Sequence, residues 1–215
     1  MPNITRFFFS AFFLTTLISG FADAKVLHDD RSPQAIMGNA LWQEAMSAYA
    51  AHEDHVSNDD YMIVIDYRRH SGEPRFFLID MEEKTAEAYL VSHGRASDPD
   101  HDGMADRFSN VSGSKMSSLG SFVTAETYYG KHGLSLRLDG LESQNAAARE
   151  RAIVIHGADY VDANRSKMGR SWGCPSLEQH VAADLIPKIA DGVLIYTRGP
   201  EAEDELYADI VDKAG

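Results

Sequence analysis

Cys174 is the only cysteine of the 215-residue chain, and it stands in a run of small and turn-forming residues, Gly169-Arg170-Ser171-Trp172-Gly173-Cys174-Pro175. His156 lies 18 positions upstream, at the end of the apolar run Ile153-Val154-Ile155 and just before Gly157. A thiol is largely protonated at neutral pH and becomes an effective nucleophile when an imidazole or a positive field takes its proton. A strand that delivers His156 and a glycine-flanked turn that presents Cys174 are therefore the parts of a covalent acyl-transfer site. Small neighbours leave space for a substrate carbonyl, and the backbone N–H groups of Gly173 and Cys174 are candidates for an oxyanion hole. A buried histidine and a structural thiol would share this spacing, so the pair alone does not decide. The order of the pair excludes two known arrangements. Papain-like peptidases place the cysteine first, and caspases place the histidine about 50 residues upstream.

The surrounding residues resemble the YkuD-type L,D-transpeptidase family, whose signature is a histidine followed downstream by Ser/Thr-His-Gly-Cys. His156 and Ser171-Trp172-Gly173-Cys174 occupy those places. Val91-Ser92-His93-Gly94 is similar to the family's Val-Ser-x-Gly strand end, and Ser117 to Phe122 to its Thr-Pro-x-Gly-x-Phe/Tyr segment. Trp172 replaces the motif histidine, and Pro175-Ser176 replaces an apolar residue plus arginine, so the resemblance is to a divergent branch with Gly-Arg-Ser-x-Gly-Cys-Pro. It implies a β-sandwich of mainly β (α+β) class with a few short helices, no cofactor, and a Cys174 thioester formed with peptidoglycan stem peptides. The resolving amine would give either a 3,3 cross-link or a link from L-Ala to diaminopimelate. Carbapenems are implied inhibitors that acylate Cys174. His93 at the cleft rim, with Arg170, Ser171, Trp172 and Tyr128, are the candidate substrate contacts. Two other readings stay open: an L,D-carboxypeptidase or endopeptidase using the same dyad, and a non-catalytic wall-binding module. Sortase-type transpeptidation fits less well, because that family separates its histidine and cysteine further.

These residues need a scaffold, and the chain has the signals for one. Tyr61 to Tyr67, Pro74 to Asp80, Ala86 to Ser92, Ser121 to Thr127, Arg151 to His156 and Gly192 to Thr197 are apolar runs bounded by turn residues, which predicts consecutive strands. Leu177 to Ile189 reads as a short helix. Ser32-Pro33 is an N-cap signal, and Ile36, Ala40, Leu41, Ala45, Met46 and Tyr49 recur at helical spacing, predicting an amphipathic helix over 33–52. The expected organisation is a signal peptide at 1–24, an N-terminal helix and connector at 25–59, a catalytic domain at 60–199 and an acidic tail at 200–215.

Arg6, the apolar run Phe7 to Phe21 and Ala22-Asp23-Ala24 have the form of a secretory leader with its cleavage site. The run is shorter than the roughly 20 residues a bilayer-spanning helix needs, so no membrane anchor is expected. Export, to a periplasm, is the expected localisation. Lys and Arg number 20 against 33 Asp and Glu, a net charge of −13, which excludes a nucleic acid as an obvious partner. Asp98, Asp100, Asp102 and Asp106 fall on liganding positions of an EF-hand-like loop, with Gly103 at the sixth. Ser109 stands where the bidentate glutamate belongs, so the expectation is an acidic turn without a metal.

Overall fold

The computed structural model describes residues 30–200. The expected signal peptide and the acidic tail from Glu201 onward lie outside them.

The predicted N-terminal helix is present as two pieces, α1 (Pro33–Met37) and α2 (Asn39–Ala51). Ser32 caps α1, its Oγ accepting the Ala35 N–H at 3.3 Å, with Pro33 in the first turn. The break is Gly38, whose φ of +93° is open to glycine and rarely to other residues. Helical periodicity runs straight through this joint, so the sequence pattern alone does not show it.

Eight strands follow: β1 (Tyr61–Asp66), β2 (Phe76–Asp80), β3 (Thr85–Tyr89), β4 (Gly120–Gly130), β5 (Gly133–Gly140), β6 (Val154–Gly157), β7 (Ser176–Leu177) and β8 (Leu194–Arg198). The helix α3 (Gln179–Leu185) lies between the last two. The fold is thus mostly β with a few short helices, as expected. The strands form one continuous sheet in the order β3-β2-β1-β8-β4-β5-β6-β7. Pairing is antiparallel except for β1 with β8 and β6 with β7.

The two ends of this sheet meet. The segment after β3 reaches β7, where the Ser92 N–H donates to the Ser176 carbonyl at 2.9 Å, and Gly94 bridges Ser171 in parallel fashion. The sandwich is therefore one sheet folded back on itself, with a closing seam at the nucleophile turn.

Residues 62 to 65 of β1 are all buried, because both faces of the strand are covered. Met62 and Val64 pack with Phe77, Ile79, Leu194 and the helix residues Met37, Leu41 and Ala45. Ile63 and Ile65 face the inner cluster with Phe76, Phe122, Leu136, Leu138, Ile155 and Leu185. Leu136, fully buried on β5, contributes about 2 kcal/mol by its removal from water. That inner cluster backs β6, so core packing fixes the strand that carries His156.

Candidate active site

The turn before β7 is held by its own side chains. Ser171 Oγ accepts the Gly173 N–H at 3.0 Å and donates to the Cys174 carbonyl at 2.7 Å. Ser117 ties the turn to the long segment between β3 and β4. Its Oγ donates to the Gly173 carbonyl at 3.2 Å and accepts the Gly94 N–H at 3.0 Å. Gly173 has φ +125°, and a Cβ there would lie 2.7 Å from the Met116 carbonyl oxygen. Both facts demand glycine beside the cysteine. Cys174 is half-buried, with Sγ 3.7 Å from the Ala152 carbonyl oxygen.

His156 sits on β6 in register with Ser176 of β7, two residues past the cysteine. Its Nδ1 lies 2.8 Å from the Gly157 carbonyl, which can only accept, so Nδ1 carries the proton. Nε2 is then the lone-pair nitrogen, and it accepts from Ser176 Oγ at 3.0 Å. Ser176 Oγ in turn lies 3.0 Å from the Tyr160 hydroxyl, giving a chain from Tyr160 through Ser176 to the imidazole. His132 stacks on the His156 ring at 4.2 Å between centroids. Among the described residues no hydrogen bond joins Cys174 Sγ to His156.

Burial pushes the His156 imidazole below its usual range, against the pull of the Gly157 carbonyl. Burial also pushes the Cys174 thiol up, opposed by the Val154 N–H and by the Arg151 guanidinium. At rest the thiol and the imidazole are therefore both neutral, and the imidazole keeps an unprotonated Nε2 that accepts from Ser176. Such a pair can perform general-base-assisted thiol attack on a carbonyl.

The L,D-transpeptidase catalytic domain (YkuD_2) sequence profile matches residues 34–197. The chain belongs to that family. No curated protein matches it. Similar solved structures include an L,D-transpeptidase from Mycobacterium smegmatis, at 12% identity and TM-score 0.42, covering 65% of this chain and 59% of that one. L,D-transpeptidase 3 from Mycobacterium tuberculosis, in complex with a faropenem-derived adduct, is 13% identical with TM-score 0.43, covering 65% and 60%. Bd1075 of Bdellovibrio bacteriovorus is 13% identical with TM-score 0.42, covering 74% and 56%. The chain thus spans under two thirds of the length of these relatives.

The other residues singled out in this L,D-transpeptidase domain are placed unevenly. His93 is 1% exposed, inside the protein and not on a cleft rim. Arg75, itself fully buried, donates from Nη2 to His93 Nδ1 at 2.7 Å, and His93 Nε2 donates to Asp98 Oδ2 at 3.0 Å. The arrangement braces the strand end that carries Gly94. Arg170 donates to the Asp98 and Pro99 carbonyls, which ties it to the acidic turn. Ser171 is the staple of the nucleophile turn. The N–H of Gly173, an oxyanion candidate, is taken by Ser171 Oγ, which leaves the Cys174 N–H as the remaining candidate. Trp172 is 70% exposed beside the cysteine, with Lys115 Nζ 5.0 Å from its ring centroid. Tyr128 lies under the Arg137 guanidinium on β4.

Carboxylate oxygens of Asp98, Asp100 and Asp102 lie within 4.8 Å of one another, a group that does not include Asp106. Asp98 is buried, and its oxygens already receive His93 and the N–H groups of Asp102 and Gly103. These bonds hold its carboxyl low in spite of burial. Asp98 is thus a structural brace, whereas Asp100 and Asp102 face solvent.

Ser117 and Ser176 fall within the motif segments without their roles being legible there, and Tyr160, Arg75 and Arg151 escape a reading of the sequence. Ser176 had one available signal: it stands where the related motif carries arginine, two residues past the nucleophile. The others meet the site only through the closed sheet.

Proposed function

We propose that this chain is an exported peptidoglycan L,D-transpeptidase in which Cys174 carries the acyl group as a thioester. The observation that carries the reading is the tautomer of His156. With Nδ1–H held by the Gly157 carbonyl, Nε2 is the ring nitrogen able to take a proton, and we assign it to the chain's single thiol. Rotation of the Ser176 hydroxyl towards Tyr160 frees that lone pair.

In the first half-reaction the Sγ proton passes to His156 Nε2, and sulfur attacks the carbonyl carbon of a stem-peptide donor. The C–N bond breaks, the leaving amine takes the proton from His156, and the thioester remains. In the second, an acceptor amine attacks the thioester carbon and gives its proton to His156, which returns it to the departing sulfur. Diaminopimelate as acceptor of a chain ending in diaminopimelate gives a 3,3 cross-link, and an L-Ala donor gives the alternative link. A carbapenem would acylate the same sulfur by ring opening. Water in place of the amine turns the site into a carboxypeptidase or endopeptidase.

The test incubates the mature protein, wild type and Cys174→Ala, with disaccharide-tetrapeptide muropeptides and resolves products by liquid chromatography and mass spectrometry. New dimers from the wild type alone support the proposal, and fragmentation identifies the bond formed. Monomers shortened by one residue would replace it with the hydrolytic reading. Identical behaviour of the two proteins on every donor, including tripeptide and pentapeptide stems, would refute catalysis by Cys174.

A further inference from the structure

Arg151 begins the segment that leads into β6, and its guanidinium turns to the nucleophile turn. Nη1 donates to the Ser109 carbonyl and Ser118 Oγ, both at 2.6 Å, and Nη2 donates to the Met116 carbonyl at 2.6 Å and Ser114 Oγ at 3.2 Å. Nη2 lies 3.4 Å from the position a Cβ would take on Gly173, the residue bonded to Cys174. Sγ itself rests against the carbonyl of Ala152, the next residue after Arg151. No carboxylate among the described residues pairs with this half-buried cation: every acceptor it has is neutral. Withdrawing a charge from water without a counter-ion is costly, and an anion formed within reach would offset that cost.

We propose that Arg151 is the charge that poises Cys174, with the thiolate and the developing oxyanion as its missing counter-ions. Burial lowers the guanidinium's pKa, and the Cys174 charge restores it in part, while Arg151 in turn opposes the upward push of burial on the thiol. Of the other titratable groups of the site, Lys115 is engaged with the Trp172 ring, and the rest supply no positive charge at neutral pH. Tyr67, after β1, is pushed up to about 12 by burial, and Tyr160, after β6, is also raised. His156 is neutral until it has received the proton. In this chain Ser176 occupies the position at which the related motif carries an arginine, and Arg151 brings a guanidinium to the turn from the other side.

The proposal rests on Cys174 being the nucleophile but needs no stem peptide, so its test is independent of the substrate. Iodoacetamide alkylation of Cys174 is followed by intact-protein mass spectrometry from pH 5 to 10, for wild type, Arg151→Lys and Arg151→Gln. Melting temperature is recorded alongside. The expected result is a midpoint raised by about one pH unit in the glutamine variant, hence alkylation about tenfold slower at neutral pH, with lysine close to wild type. If Arg151 only clamps the 109–118 segment, lysine and glutamine lose stability alike and neither moves the midpoint, which overturns the proposal. Should the glutamine variant fail to fold, Arg151→Met, a neutral chain of similar reach, is alkylated in its place. A midpoint raised by about one unit in that variant supports the charge, and an unchanged midpoint overturns it.

Discussion

Acidification from pH 7 to pH 4 is expected to weaken this fold through one residue, His93. Arginine can only donate, so the 2.7 Å contact from Arg75 Nη2 fixes His93 Nδ1 as unprotonated, with Nε2–H pointed at Asp98. Protonating Nδ1 would set two cations face to face in the interior. Burial, and after it the Arg75 charge, push the imidazole down from 6.5 to about 4. The sign follows from linkage: below 6.5 the unfolded chain takes up a proton that the folded protein refuses. The stabilisation is complete above pH 6.5 and is lost progressively as pH falls towards 4. A displacement of that size corresponds to about 3 kcal/mol, spread at a slope of about 1.4 kcal/mol per pH unit. Urea unfolding at stepped pH, wild type against His93→Gln, measures it. Glutamine offers an acceptor and a donor but does not titrate. The wild-type curve should fall more steeply between pH 6.5 and 4, and parallel curves would refute the argument. Because His93 precedes Gly94, the same acidification should loosen the bridge to Ser171 and so the nucleophile turn.

Gly173→Ala places a Cβ against the Met116 carbonyl at a φ of +125°, and should lower stability by about 2 kcal/mol or more in thermal melts while slowing Cys174 alkylation. Ser176→Ala removes the hydroxyl that holds His156 Nε2, so kcat should fall about tenfold with little change in KM, and Tyr160→Phe should cost less because it acts at one remove. Since burial keeps His156 below its usual range, the acid limb of the kcat/KM profile should lie below pH 6.5.

Much of this architecture is legible in the sequence because burial on both faces writes unbroken apolar runs, as in Met62 to Ile65 and Ile153 to Ile155. His156 and Cys174 are legible for a related reason: each sits where such a run, or a glycine-flanked turn, ends. The strand β5 carries Leu134, Leu136 and Leu138 in alternation with Ser135, Arg137 and Asp139, a period-2 signal strong enough to predict it. Its proximity to the β4 run conceals it, since the two form one hairpin with a two-residue link. The joint at Gly38 is less accessible, because a positive φ leaves helical spacing on either side intact.

What the sequence withholds is the consequence of closing the sheet. Only when Ser92 to Arg95 dock on Ser171 and Ser176 does His93 become interior, Ser117 reach Gly173, and Arg151 meet the turn it precedes by some 20 positions. The same closure accounts for one of the motif departures, the serine that stands in place of the arginine. Ser176, freed from presenting a charge, is small enough to lie between Tyr160 and His156, and it directs the base's lone pair along a chain of hydroxyls. A guanidinium at that position would face an unprotonated Nε2, where it could only donate, and would hold the base occupied by a bond that cannot rotate away. A hydroxyl can turn its hydrogen aside when the thiol needs the lone pair. Moving the positive charge to Arg151 separates the two tasks, leaving Ser176 to position the base while Arg151 acts on the sulfur.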